Sequence, residues 1–163
     1  GELKKEEREG VIIGGNFVNW YGGFDSYIVA NEVTDKVTAP SMGRKQPQEE
    51  ELVTHLPFMT WKAWIHSLNK FKIGVHLMRT HAAGTFALNC AYLGIPCIGY
   101  KGLDTQEVCH PLTTVEVGNI GKAKELIKKL DSDQEFYDFN SAAARASYYK
   151  HYSRETFLKN FKI

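Results

Sequence analysis

The sequence predicts a doubly wound, Rossmann-like α/β domain: a parallel sheet with helices on both of its faces. Three observations point there. Short β-branched or apolar runs alternate with segments whose apolar residues recur at helical spacing. Glycines stand at the ends of the apolar runs, as in Gly14-Gly15, Gly94 and Gly102. The chain has 163 residues, 43% of them hydrophobic, which suffices for one substantial core. Taken in order, Val11-Ile12-Ile13 is a strand entering a tight glycine loop, and Phe24 to Val33 has helical spacing. Lys36 to Pro40 reads as a second strand, Gly43 to Gln48 as a polar loop, Glu49 to Val53 as a short helix and Leu56 to Met59 as a third strand. Thr60 fits an N-cap for a helix to Asn69, with Trp61, Trp64, Ile65 and Leu68 on one face. Ile73 to Met78 is a strand, Ala83 to Leu93 a helix closed by Gly94, and Ile95 to Tyr100 the next strand. Thr113 to Val117 alternates as a short strand, and Lys122 to Leu130 and Asp133 to His151 follow as helices. Ser153 is expected to cap a last helix to Phe161.

Composition excludes several classes. The net charge of +1 argues against a basic nucleic-acid binder or a membrane-surface protein. No apolar run reaches the roughly 18 residues of a membrane span. The start, GELKKEERE, carries no apolar pattern and resembles neither a natural start nor a signal peptide. Residues 1–10 are therefore expected to be a linker or tag remnant, and 11–163 a single domain. Cys90, Cys97 and Cys109 form an odd set without a CxxC pair, which suggests reduced thiols and a cytoplasmic setting. Cys109-His110 lacks the further ligands a zinc site needs.

The chemistry concentrates in residues 75–100, which read strand, small-residue loop, helix, glycine, strand. Ala82-Ala83-Gly84-Thr85 puts small residues where a helix begins, and free N–H groups with the positive helix end there suit an anion. Thr85 adds a hydroxyl, His81 can donate to a phosphate or sugar hydroxyl, and Asn89 can meet a ribose. Bland readings compete with these. Trp61 and Trp64 read as core rather than sugar platforms. His55, His66, His76 and His151 read as structural or surface residues. His110 stays open, because its loop should face a cleft. The lysines of 122–129 read as a solvated helix face.

With His81 and Asn89 at the two ends of one spacing, and Gly94 and Pro96 following, the stretch resembles the donor-binding half of GT-B glycosyltransferases. These enzymes have two facing Rossmann domains. The resemblance implies that His81, Ala83, Gly84 and Thr85, with Arg44 and Lys45 after the second strand, hold the diphosphate of a nucleotide sugar. It assigns Asn89 and Met59 to the ribose and base, Asp104 and Gln106 to the sugar, and Gly14, Gly15 and Asn16 to a cleft loop. It implies no cofactor, no metal and no catalytic base within this chain. A base and the acceptor site would belong to an N-terminal acceptor domain, without which no sugar is transferred. A sugar-nucleotide epimerase of the same architecture and a non-catalytic interaction module remain alternatives.

Overall fold

A computed structural model describes residues 8–14, 23–40, 51–57, 59–79 and 85–152. Among the described residues six strands form one sheet in the order β3-β2-β1-β4-β5-β6, and each of their pairings is parallel. The strands are β1 (Val11–Ile13), β2 (Val37–Pro40), β3 (Val53–Leu56), β4 (Ile73–His76), β5 (Cys97–Tyr100) and β6 (Thr114–Val115). The helices are α1 (Gly23–Ala30), α2 (Trp61–Leu68), α3 (Thr85–Leu93), α4 (Asp104–Cys109), α5 (Ile120–Ser132) and α6 (Gln134–His151). The strand order reverses between β1 and β4, because the chain runs outward from β1 to β2 and β3 and then returns to β1's other side. The carboxyl ends of strands at such a reversal form the crevice where ligands bind in this class of fold.

Strand alternation divides the core. Val11 and Ile13 of β1, Ile73 and Val75 of β4, and Ile98 and Tyr100 of β5 face α1 and α5, with Val29, Ala123, Ile127 and Leu130 packed against them. Ile12 and Cys97 face the other way, onto Phe86, Ala87 and Cys90 of α3 and Leu68 of α2. Two glycines let α3 lie directly on that face. A Cβ on Gly74 would sit 2.9 Å from Cys90 Sγ, and one on Gly14 would sit 2.8 Å from Phe86 Cγ. The caps are local and legible: Thr60 accepts from Ala63 N, Asn119 from Lys122 N and Asp133 from Phe136 N. Gly94 closes α3 with φ +71°, the left-handed conformation that favours glycine.

Some elements depart from expectation. The third strand lies three residues earlier than 56–59. Val53 opens it opposite Val37 instead of closing a short helix, and Pro57, which has no N–H, follows its end. Residues 104–109, which the pattern left unassigned, form α4, and the strand expected over 113–117 shortens to two residues after a 3₁₀ turn at Pro111–Thr113. Trp61 is not core: it is 62% exposed, while Trp64 tilts against Phe86 at 6.4 Å between centroids. The last helix expected from Ser153 to Phe161 lies outside the described residues.

The expected linker, residues 1–10, contains a part that belongs to the domain body. Arg8 Nε donates to Asn69 O at 3.1 Å, Nη2 donates to Leu93 O at 2.6 Å and to Asn69 Oδ1, and Glu9 N donates to Lys70 O. One guanidinium thus satisfies carbonyls at the ends of both α2 and α3, groups that lack intrahelical partners. Arg8→Ala is expected to lower stability by about 2 kcal/mol, since hydrogen bonds to a charged donor are lost at two helix ends. A urea unfolding curve measures it, and an unchanged midpoint would assign Arg8 to the linker after all.

Candidate functional site

The crevice is built where β1 and β4 end side by side. Ile13 pairs with Val75, and Gly14 N continues the ladder by donating to Val75 O at 2.9 Å. This places Gly14 and His76 together on the α3 side of the sheet. A Cβ on Gly14 would lie 3.0 Å from His76 Cδ2, and the His76 ring meets Phe86 edge-on at 5.3 Å. Burial pushes the imidazole of His76 down to about 4, so it is neutral at physiological pH, and its Nδ1 has no hydrogen-bond partner among the described residues. α3 begins beside this pair at exposed Thr85. Asn89, half-buried, follows four residues later, so the two side chains share one helix face.

On the opposite side of the sheet the crevice carries a polar cluster. Ser26 Oγ accepts from Leu77 N at 2.9 Å, pinning the chain as it leaves β4. Two residues on, Arg79 donates through Nε at 3.0 Å and Nη2 at 2.7 Å to Asp25 Oδ2, and the Tyr100 hydroxyl donates to the same oxygen at 2.9 Å. The Arg79 guanidinium stands over the Tyr100 ring, 5.5 Å from its centroid. Asp25 in the first turn of α1 therefore gathers the carboxyl ends of β4 and β5. Its hydrogen bonds hold the Arg79 guanidinium charged even more firmly than usual, and burial beside that carboxylate pushes the Tyr100 phenol well up. Sequence reasoning missed all three residues. The available signal was a charged side chain directly after the apolar run 73–78.

The residues expected to bind donor do not all gather at the crevice. Gly14, Thr85 and Asn89 lie at or beside the crevice. Met59 follows β3, where its Sδ accepts from Ser67 Oγ at 3.6 Å. His81, Ala83, Gly84, Arg44, Lys45, Gly15 and Asn16 lie outside the described residues. Asp104 is exposed at the start of α4, but Gln106 is 1% exposed and cannot reach a sugar in this conformation. Its Nε2 donates to Cys97 O at 2.9 Å and to Thr114 Oγ1 at 3.2 Å, and its side chain fills the space over Gly99. This corrects the sugar assignment, because α4 turns the residue into the core. His110 also does not face a cleft. It is buried, Nδ1 accepts from Cys97 N at 3.3 Å and Nε2 donates to Ala87 O at 3.0 Å, and burial pushes it down to about 4. Cys90, Cys97 and Cys109 are buried free thiols, and no group of three or more metal-ligating side chains occurs among the described residues.

No protein-family model matches the sequence, and no curated protein matches it either. Solved structures do match. The C-terminal domain of a group 1 glycosyl transferase, LpcC from Francisella tularensis, aligns with a TM-score of 0.70 at 16% identity, covering 94% of this chain and 95% of that one. The fold is that of one half of a GT-B glycosyltransferase. HepE from Anabaena, solved with UDP and glucose, aligns with a TM-score of 0.72 at 14% identity over 96% of this chain and 47% of its own. TarM aligns with a TM-score of 0.72 at 15% identity over 99% of this chain and 36% of its own. The chain thus spans about half the length of HepE or less of TarM. Among the described residues no helix is long and apolar enough to cross a membrane.

Proposed function

We propose that this chain is the donor-binding half of a glycosyltransferase that moves a sugar from a nucleoside diphosphate sugar to an acceptor. The observation that carries the reading is the crevice between β1 and β4, built on a fold shared with an isolated glycosyl transferase C-terminal domain. HepE, of the same fold, was solved with UDP and glucose. In this reading the departing diphosphate lies at the start of α3, against backbone amides and Thr85, and is also met by His81, Ala83, Gly84, Arg44 and Lys45. Preorganised donors of this kind stabilise the charge that develops on the leaving group, and no metal is assigned that task. Asn89 and Met59 take the ribose and base, and Asp104 a sugar hydroxyl. The chain holds neither the acceptor nor the base that activates it, both of which belong to a facing N-terminal domain. By itself it binds donor weakly and transfers nothing.

Titration with UDP, GDP and ADP while following the melting temperature is the direct test. One of the three is expected to raise the melting temperature in a saturable way. No shift with any of them at millimolar concentration would favour a non-catalytic interaction module. Sugar transfer by the 163-residue chain alone would overturn the assignment of the base to another domain.

A further inference from the structure

We propose that Gln106 is a positioning residue for His76, its Oε1 holding the imidazole proton on Nδ1. The inference concerns the floor of the crevice and stands without the donor-binding reading. Two sealed side-chain polar atoms lack a hydrogen-bond partner among the described residues, His76 Nδ1 and Gln106 Oε1. Such atoms are few in folded proteins, and each calls for a physical reason. The sheet sets these two side by side. His76 and Gly99 are Cα partners across β4 and β5, so both positions project onto the α3 face. Gly99 has no side chain there, and Gln106 takes its place: a Cβ on Gly99 would lie 2.5 Å from Gln106 Oε1. Neighbouring strands lie about 4.8 Å apart, which sets Oε1 one strand over from the root of the His76 side chain. The imidazole turns Cδ2 toward Gly14, on the β1 side. Nδ1, across Cγ from it, is the edge turned toward β5 and Gln106.

The amide decides which nitrogen carries the proton. Both N–H groups of Gln106 are in use, toward Cys97 O at 2.9 Å and Thr114 Oγ1 at 3.2 Å. Cys97 O can only accept, so the amide cannot be turned round, and its oxygen is the atom left beside His76. Burial keeps the His76 ring neutral, with one N–H to place. A bare Nδ1 would set its lone pair against a carbonyl oxygen in a sealed site, where repulsion is weakly screened. A proton on Nδ1 turns that repulsion into the attraction of an N–H for a carbonyl oxygen. Nε2 then keeps its own lone pair. Nε2 is bonded to Cδ2, so this lone pair lies on the Gly14 edge, where β1 and β4 end at the crevice. A ligand group that meets His76 there must donate: a hydroxyl fits, and a phosphate oxygen does not. His110 is the opposite case, since its Nε2 donates to Ala87 O and its Nδ1 accepts from Cys97 N.

The test reads the histidine tautomers of the full chain at neutral pH from proton–nitrogen correlation spectra. The His76 signal is the one missing from His76→Asn, and His110 serves as an internal reference for the opposite tautomer. His76 is expected to carry its proton on Nδ1, and a proton on Nε2 overturns the inference. Gln106→Met removes the oxygen and keeps most of the bulk, and the His76 proton is expected to shift toward Nε2. A folded Gln106→Met protein with the proton still wholly on Nδ1 also overturns it, because Gln106 would then not be the cause. Should that variant fail to fold, cross-relaxation in the wild type between the Nδ1 proton and the Gln106 methylenes takes its place. That contact is expected, and an Nδ1 proton that is observed without it overturns the proposal.

Discussion

Replacing Gly14 with alanine is expected to destabilise the domain by about 2 kcal/mol, the usual cost of forcing one extra carbon into a packed core. The added methyl would lie 2.8 Å from Phe86 Cγ and 3.0 Å from both Phe86 Cδ2 and His76 Cδ2. Neither ring can swing aside cheaply. Phe86 is 7% exposed and also packs on Trp64, and His76 is 6% exposed at the end of a sheet strand. The backbone of Gly14 is not in the left-handed region, so the requirement is one of space alone. Phe86 sits next to Thr85 at the start of α3, so relief of the clash moves the helix start that the donor reading depends on. Two measurements follow. Urea unfolding should show the loss of stability, and the nucleotide titration should show weaker binding in whatever fraction remains folded. Combining Gly14→Ala with Phe86→Leu should cost less than the sum of the single changes, because the two residues compete for the same space. A Gly14→Ala protein as stable as the wild type would show that α3 has slack against β1, and the close approach would lose its meaning.

That glycine illustrates what the sequence discloses and what it hides. Gly14 is legible as the end of an apolar run, and Gly94 as a helix terminator. The run 73–78 and the spacing of Ala123, Leu126, Ile127 and Leu130 declare a strand and a helix by pattern alone. β3 is harder because it is an edge strand with one buried residue, Val53, so its four residues lack an apolar run. α4 is hidden for a related reason: its buried residues include Gln106, whose side chain reads as polar until a carbonyl receives it inside the core. The same blindness misplaced Gln106 and left the role of His110 open. A polar side chain in a loop-like stretch suggests contact with a ligand, whereas here both hold the backbone of Cys97. The Asp25, Arg79 and Tyr100 cluster leaves one local trace, the charge after the run 73–78, because its partners are 54 and 75 residues apart. Strand order brings them together, and only the assembled sheet reveals it.

Acidification from pH 7 to pH 4 is expected to remove about 3 kcal/mol of stability through each of His76 and His110. Burial pushes both imidazoles from an ordinary 6.5 down to about 4 in the folded chain. The unfolded chain therefore takes up protons first. The contribution of the two residues is complete above pH 6.5, declines as pH falls through the interval to 4, and changes little below that, where both states are protonated. For His110 the geometry gives the reason. Nδ1 must stay unprotonated to accept from Cys97 N, while Nε2 donates to Ala87 O, so charging the ring breaks the bond that β5 makes to the residue after α4 as well as burying a cation. For His76 the cost is burial alone, against Phe86 and Gly14. Domains of this size carry only about 5–15 kcal/mol in total, so two such groups remove a large share of it over the interval in which the carboxylates also begin to titrate. Chemical unfolding at pH 7 and pH 4.5 should show a fall in stability for the wild type. His110→Gln, which keeps an acceptor and a donor but cannot charge, should start less stable at pH 7 and lose about half as much on acidification. A wild-type stability that is flat between those two pH values would mean that both imidazoles find water or a counter-charge when protonated. The close packing around them would then be wrong.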